Sequence, residues 1–122
     1  MFRIESILQN ADFKDISELY RNPPMTEMLK ANEVIESKDE DNGFEYYELK
    51  YWRLKLPMMS DRENIVKTNF KLQEDGRLLG IGMSVEHPDY PSSPGCVTMH
   101  QFVLVSMEIL EDGNLKISEI IQ

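Results

Sequence analysis

The chain has 122 residues, 41% of them hydrophobic and 29% charged, and carries a formal net charge of −9. That size and balance fit one globular domain with a sizeable core, and the excess of acid argues against nucleic acid or anionic membrane surfaces as partners. No apolar run approaches the roughly 20 residues needed to span a bilayer, the opening MFRIESILQN lacks the apolar stretch of a signal peptide, and the single cysteine, Cys96, suits a reducing, cytoplasmic setting.

The first part of the chain reads as helical. Ile4, Ile7 and Leu8 recur at helical spacing, as do Phe13, Ile16, Leu19 and Tyr20. Asn10 or Asp12 can cap the second segment, and RNPP, Arg21 to Pro24, ends it, because a residue before proline avoids the helical region.

After Met25 the chain turns to strands. MLKANEVIES and FEYYELKYWRL flank Asn42-Gly43, a strong hairpin signal. NIVKTNFKL and RLLGIGMSVE flank Asp75-Gly76, and CVTMHQFVLVSMEIL and NLKISEIIQ flank Asp112-Gly113. Such short connections pair neighbours antiparallel. In RLLGIGMSV, Leu79, Ile81, Met83 and Val85 share one face and Leu78, Gly80, Gly82 and Ser84 the other. Glycines on a strand face mark a bend or close backbone approach. The expectation is an α+β domain, short N-terminal helices followed by a curved antiparallel sheet of about six strands.

Chemistry is sparse. There is no zinc spacing, no P-loop and no dinucleotide fingerprint around Gly80-Ile81-Gly82. KDEDNG looks like a calcium loop, but aligning Gly43 with the invariant glycine puts Leu49 where a bidentate glutamate is needed. His87 reads as a loop residue bonded within its own turn and His100 as a satisfied strand residue. Neither has a nucleophile at motif spacing. No cofactor, no metal and no enzymatic activity are expected. Methionine is plentiful, and Met58-Met59 fall in the predicted loop LPMMSD, where apolar tips cover a core or line an opening.

One stretch carries more. SVEHPDYPSSPG, Ser84 to Gly95, is a stiff, proline-rich detour between two strands. It follows YWRLKLPMMSDRENIV and an Asp-Gly hairpin. This order resembles the START domain, the lipid-transfer domain related to the steroidogenic acute regulatory protein. Lys55-Leu56-Pro57, Arg62-Glu63, and Ser84-Val85-Glu86-His87-Pro88 with Pro91 and Val97 carry the resemblance. It covers most of the chain and is best from Tyr47 to Val97.

The resemblance implies a helix-grip fold, in which a curved sheet wraps a long C-terminal helix and an apolar lipid or sterol lies between. It makes the proline loop a rim connection, Met58 and Met59 gate residues, and Arg62 with Glu63 a structural ion pair. Met83 joins the ligand-binding candidates. Arg53 falls where many members carry an acidic cavity residue and Thr68 where the matching arginine lies, so the family's cavity charge pair is absent or changed. Thr98 also replaces an arginine.

Measured against the family, the chain resembles a domain incomplete at both ends, without the gripping helix. The uncovered sheet face and an open final strand are then expected to recruit a protein partner or a second copy. Two readings follow. One is a non-enzymatic lipid-binding module holding an apolar or zwitterionic lipid or sterol. The other is an interaction subunit that packs its sheet face and edge in a larger assembly.

Overall fold

The computed structural model describes residues 1–23 and 28–122. Among them are one helix, α1 (Phe13–Arg21), and eight strands: β1 (Phe2–Leu8), β2 (Leu29–Asp39), β3 (Tyr46–Leu54), β4 (Arg62–Leu72), β5 (Leu78–Ser84), β6 (Val97–Thr98), β7 (Phe102–Ile109) and β8 (Leu115–Ile121). The strands form one curved, open sheet in the order β1-β8-β7-β5-β4-β3-β2, with β6 added in parallel to the start of β4. The class is α+β, as expected. Pro24 and Met25, the expected helix stop and start of the β-rich part, lie outside the described residues. No helix among the described residues is long and apolar enough to cross a membrane.

The three Asn/Asp-Gly turns form the β2–β3, β4–β5 and β7–β8 hairpins, with Gly43, Gly76 and Gly113 all at positive φ. Helix α1 starts at a capping box: Asp15 N donates to Asp12 Oδ1 at 2.8 Å, and Asp12 N to Asp15 Oδ2 at 3.3 Å. Asn22 closes it, its N–H reaching Glu18 O at 2.9 Å.

Two expectations about the ends of the sheet are overturned. Ile4, Ile7 and Leu8 do not form a helix; they lie on β1, which pairs antiparallel with β8 along its whole length. Their spacing is helical, but Phe2, Ile4 and Leu8 also share one strand face, and β8 supplies backbone partners from later in the chain. For the same reason the last strand is not an open edge. β8 sits between β1 and β7, and the edges are β1 and β2.

The concave face carries the core. Ile16 of α1 packs against Tyr46, Phe70, Leu78, Val105, Met107, Leu115 and Ile117. Leu78 of β5 is fully buried, while Ile81 and Met83 are exposed on the other side, so the glycine-bearing face of β5 is the inner one. Gly80 stands opposite Phe70 in register, and no Cβ would fit there beneath the Phe70 ring.

The proline loop leads from β5 into β6, and the chain then returns to β7, the neighbour of β5 in the sheet. It is clasped to the outer face by Glu63, whose carboxylate accepts from Ser93 N at 2.7 Å, Ser93 Oγ at 3.0 Å and Tyr51 Oη at 2.9 Å. The expected Arg62–Glu63 ion pair does not form. Successive strand residues point to opposite faces, and Arg62 instead donates to Ser60 O at 3.0 Å. His87 is bonded within its turn, accepting from Asp89 N at 3.1 Å on Nδ1 and packing edge-on against Tyr90. Pro88 and Pro91 are exposed on the loop. His100 is not a strand residue: it is exposed, in the segment between β6 and β7.

Candidate functional site

Helix α1 covers only part of the concave face, and beside it lies a partly open cavity of about 590 Å³. Its floor is built by the inner parity of four strands. Val66, Thr68 and Phe70 come from β4, Gly80 and Gly82 from β5, Val103 and Val105 from β7, and Ile117 and Ile121 from β8. Ile16, Leu19 and Tyr20 of α1 and Trp52 of β3 close the sides. Gly82 makes room, with only Thr68 Oγ1 at 3.8 Å and Val66 Cγ1 at 4.0 Å near the place of an absent Cβ, whereas the space over Gly80 is taken by the Phe70 ring.

Besides Asn32, Thr68 and Gln101, two clusters with charged groups interrupt this apolar lining. On the β3 wall, Glu48 is buried and pairs with Arg21 Nε at 3.0 Å and with Lys50 Nζ at 3.5 Å. Arg21 also binds Asp39 and lies 4.5 Å over the Tyr46 ring, and Lys50 donates to Arg21 O at 2.6 Å. Asp39, with Glu48 in support, raises the Arg21 pKa further above its ordinary value. On the opposite wall, Glu119 of β8 reaches the cavity beside Tyr20. Burial first, and then the Glu119 carboxylate, hold the Tyr20 phenol far above its usual range.

Of the ligand-binding residues expected from sequence, Thr68 lines this cavity and Arg53, Met58, Met59 and Met83 do not. Arg53 has the outer parity of β3 and pairs with Asp61 through Nε at 2.9 Å and Nη2 at 2.8 Å. Met58, with φ of 59°, and Met59 are both exposed at the tip of the loop following Pro57. The cavity does hold charges, as the Glu48 network, at positions that the sequence reading passed over. The signal available was the alternation Tyr46, Glu48, Lys50, Trp52 on one face of β3. It was masked because Tyr47, Leu49 and Tyr51 make the other face equally apolar.

No protein-family profile and no curated protein sequence matches the chain. Solved structures do. A STAR-related lipid transfer protein fragment from Xanthomonas axonopodis superposes with a TM-score of 0.74 at 17% identity, over 98% of this chain and 66% of that one. Human StAR-related lipid transfer protein 5 gives 0.70 at 19% identity, over 96% of this chain and 57% of that one. The lipid transfer and protein localization domain of human StarD13 gives 0.70 at 15%, over 98% and 59%. The fold is therefore START-like. The chain spans 57% to 66% of the length of these three structures.

Proposed function

We propose that the chain is a non-enzymatic lipid-binding module that holds one apolar molecule, a lipid or sterol, between α1 and the concave face of the sheet. The observation that carries this reading is the cavity itself. At about 590 Å³ it falls in the range of small-molecule sites, its lining is mostly apolar, and glycines rather than large side chains form part of its floor. The fold likeness to lipid transfer proteins supports the same use of the same face. Purification of the chain followed by organic extraction and mass spectrometry tests it: one apolar species per chain is expected, and a preparation that neither carries nor takes up such a molecule contradicts it.

A second reading, an interaction subunit that docks on another protein or a second copy, is favoured by the edges. Among the described residues, β1 and β2 have no strand partner on their outer sides, and Phe2 and Ile4 on β1 and Val34 on β2 are exposed. Met58 and Met59 fit a partner-facing lip in this reading. Sedimentation at low micromolar concentration with and without lipid separates the two: a compact monomer in both conditions removes the second.

A further inference from the structure

We infer, resting on the lipid-binding reading, that Glu119 is the site for the polar end of the ligand, and that the cavity selects apolar molecules whose head donates a hydrogen bond and carries no negative charge.

The inference starts from which charges in the cavity are already satisfied. Two cations line it, Arg21 and Lys50. Arg21 pairs through Nε with Glu48 and through Nη2 with Asp39, and lies over the Tyr46 ring. Lys50 pairs with Glu48 and donates to Arg21 O. Both positive charges are thus already offset by carboxylates at the β3 wall. Glu119 is in the opposite condition. It is half-buried on β8, flanked on the cavity side by Ile117 and Ile121, and among the described residues no lysine, arginine or histidine lies within ion-pair distance. Its neighbour is the Tyr20 phenol, which stays protonated.

A carboxylate that faces an apolar cavity without a cation gains from any donor that reaches it. A hydroxyl, amide or ammonium head supplies one. A fatty-acid carboxylate or a phosphate places a second negative charge beside the first, away from water, with no cation to offset it. The wall thus rejects anionic heads while the floor accepts any chain that fits.

The test is calorimetric titration with decylamine, decanol and decanoic acid at neutral pH, below their self-association, on the whole chain and on Glu119→Gln. The amine and the alcohol are expected to bind at least about tenfold more tightly than the acid, and the variant to narrow that gap by about tenfold, as befits a hydrogen bond to a charged group. If the variant does not fold, the order measured on the unmodified chain decides alone. An acid that binds as tightly as the alcohol, or an order unchanged in Glu119→Gln, overturns the inference and leaves the lipid-binding reading standing. Failure of all three chains to bind overturns both.

Discussion

Gly80 faces Phe70 across the β4–β5 pair, and a Cβ on Gly80 would lie 2.6 Å from the ring Cζ and 2.7 Å from Cδ1. The ring is packed on backbone. It also stacks on Tyr46 at 5.3 Å and lies 5.6 Å from Tyr20, so a retreat disturbs both aromatic contacts. Gly80→Ala is therefore expected to cost about 1–3 kcal/mol, the range of overpacking. Phe70→Leu made together with it should recover part of that loss. Chemical denaturation of both single variants and the double variant measures the coupling, and strictly additive losses would show that the two positions do not oppose each other.

The Glu63 clasp predicts how the proline loop responds to acid. Burial alone pushes the Glu63 carboxyl up, but the hydrogen bonds from Ser93 N–H, Tyr51 Oη and Ser93 Oγ outweigh it and hold the group below its ordinary value. A carboxyl depressed in the folded state contributes stability above its unfolded pKa, about 4.3, and loses it as pH falls through the lower folded value. Glu63→Gln should flatten the stability curve in that acid window and change it little near neutrality in slope. Glu63→Ala should cost about 1–3 kcal/mol at neutral pH by leaving the Ser93 N–H without its acceptor. Denaturation midpoints from neutral to acid pH check both, and a Glu63→Gln curve parallel to the unmodified one at every pH contradicts the account.

Glu48 is the hinge of the β3-wall network. Its removal leaves Arg21 and Lys50, both largely shielded from water, short of their shared anion. Glu48→Ala is expected to lose on the order of 3 kcal/mol. Asp39→Ala touches only the exposed arm of Arg21, with 61% of the Asp39 side chain open to solvent, and should cost under about 1 kcal/mol. Thermal melts of the two variants should rank them in that order.

Met58 and Met59 are exposed, so they do not serve as core. Met58→Ser with Met59→Ser is expected to shift stability by no more than about 0.5 kcal/mol. Any weakening of lipid or partner binding then reports contact rather than unfolding. A loss near the ~2–5 kcal/mol of a truncated core side chain would place them inside the fold instead.

The turns were the legible part of the fold. Asn42-Gly43, Asp75-Gly76 and Asp112-Gly113 mark their hairpins because left-handed backbone leaves few residue choices. Gly80 announced close approach through its missing Cβ, though not that Phe70 was the approaching group, while Gly82 faces open cavity instead. β1 was illegible because Ile4, Ile7 and Leu8 recur at helical spacing, and the strand exists through pairing with β8. The cavity's charges escaped for a related reason. Arg21 meets Glu48, and Tyr20 meets Glu119, only after α1 has folded across the sheet. Arg53 and Met83 were on the wrong parity, a matter that one residue of register decides.

The most direct test of the central claim is native mass spectrometry of the chain and of Gly82→Phe, each titrated with a single apolar ligand such as cholesterol. A Cβ on Gly82 meets its nearest neighbours at ordinary contact distance, so a side chain there points into the cavity without forcing the backbone. The account predicts that the unmodified chain takes up one ligand, while Gly82→Phe keeps its fold and loses at least about tenfold in affinity as the ring fills the space. Equal uptake by both, with Gly82→Phe folded, would place the ligand elsewhere and contradict the claim.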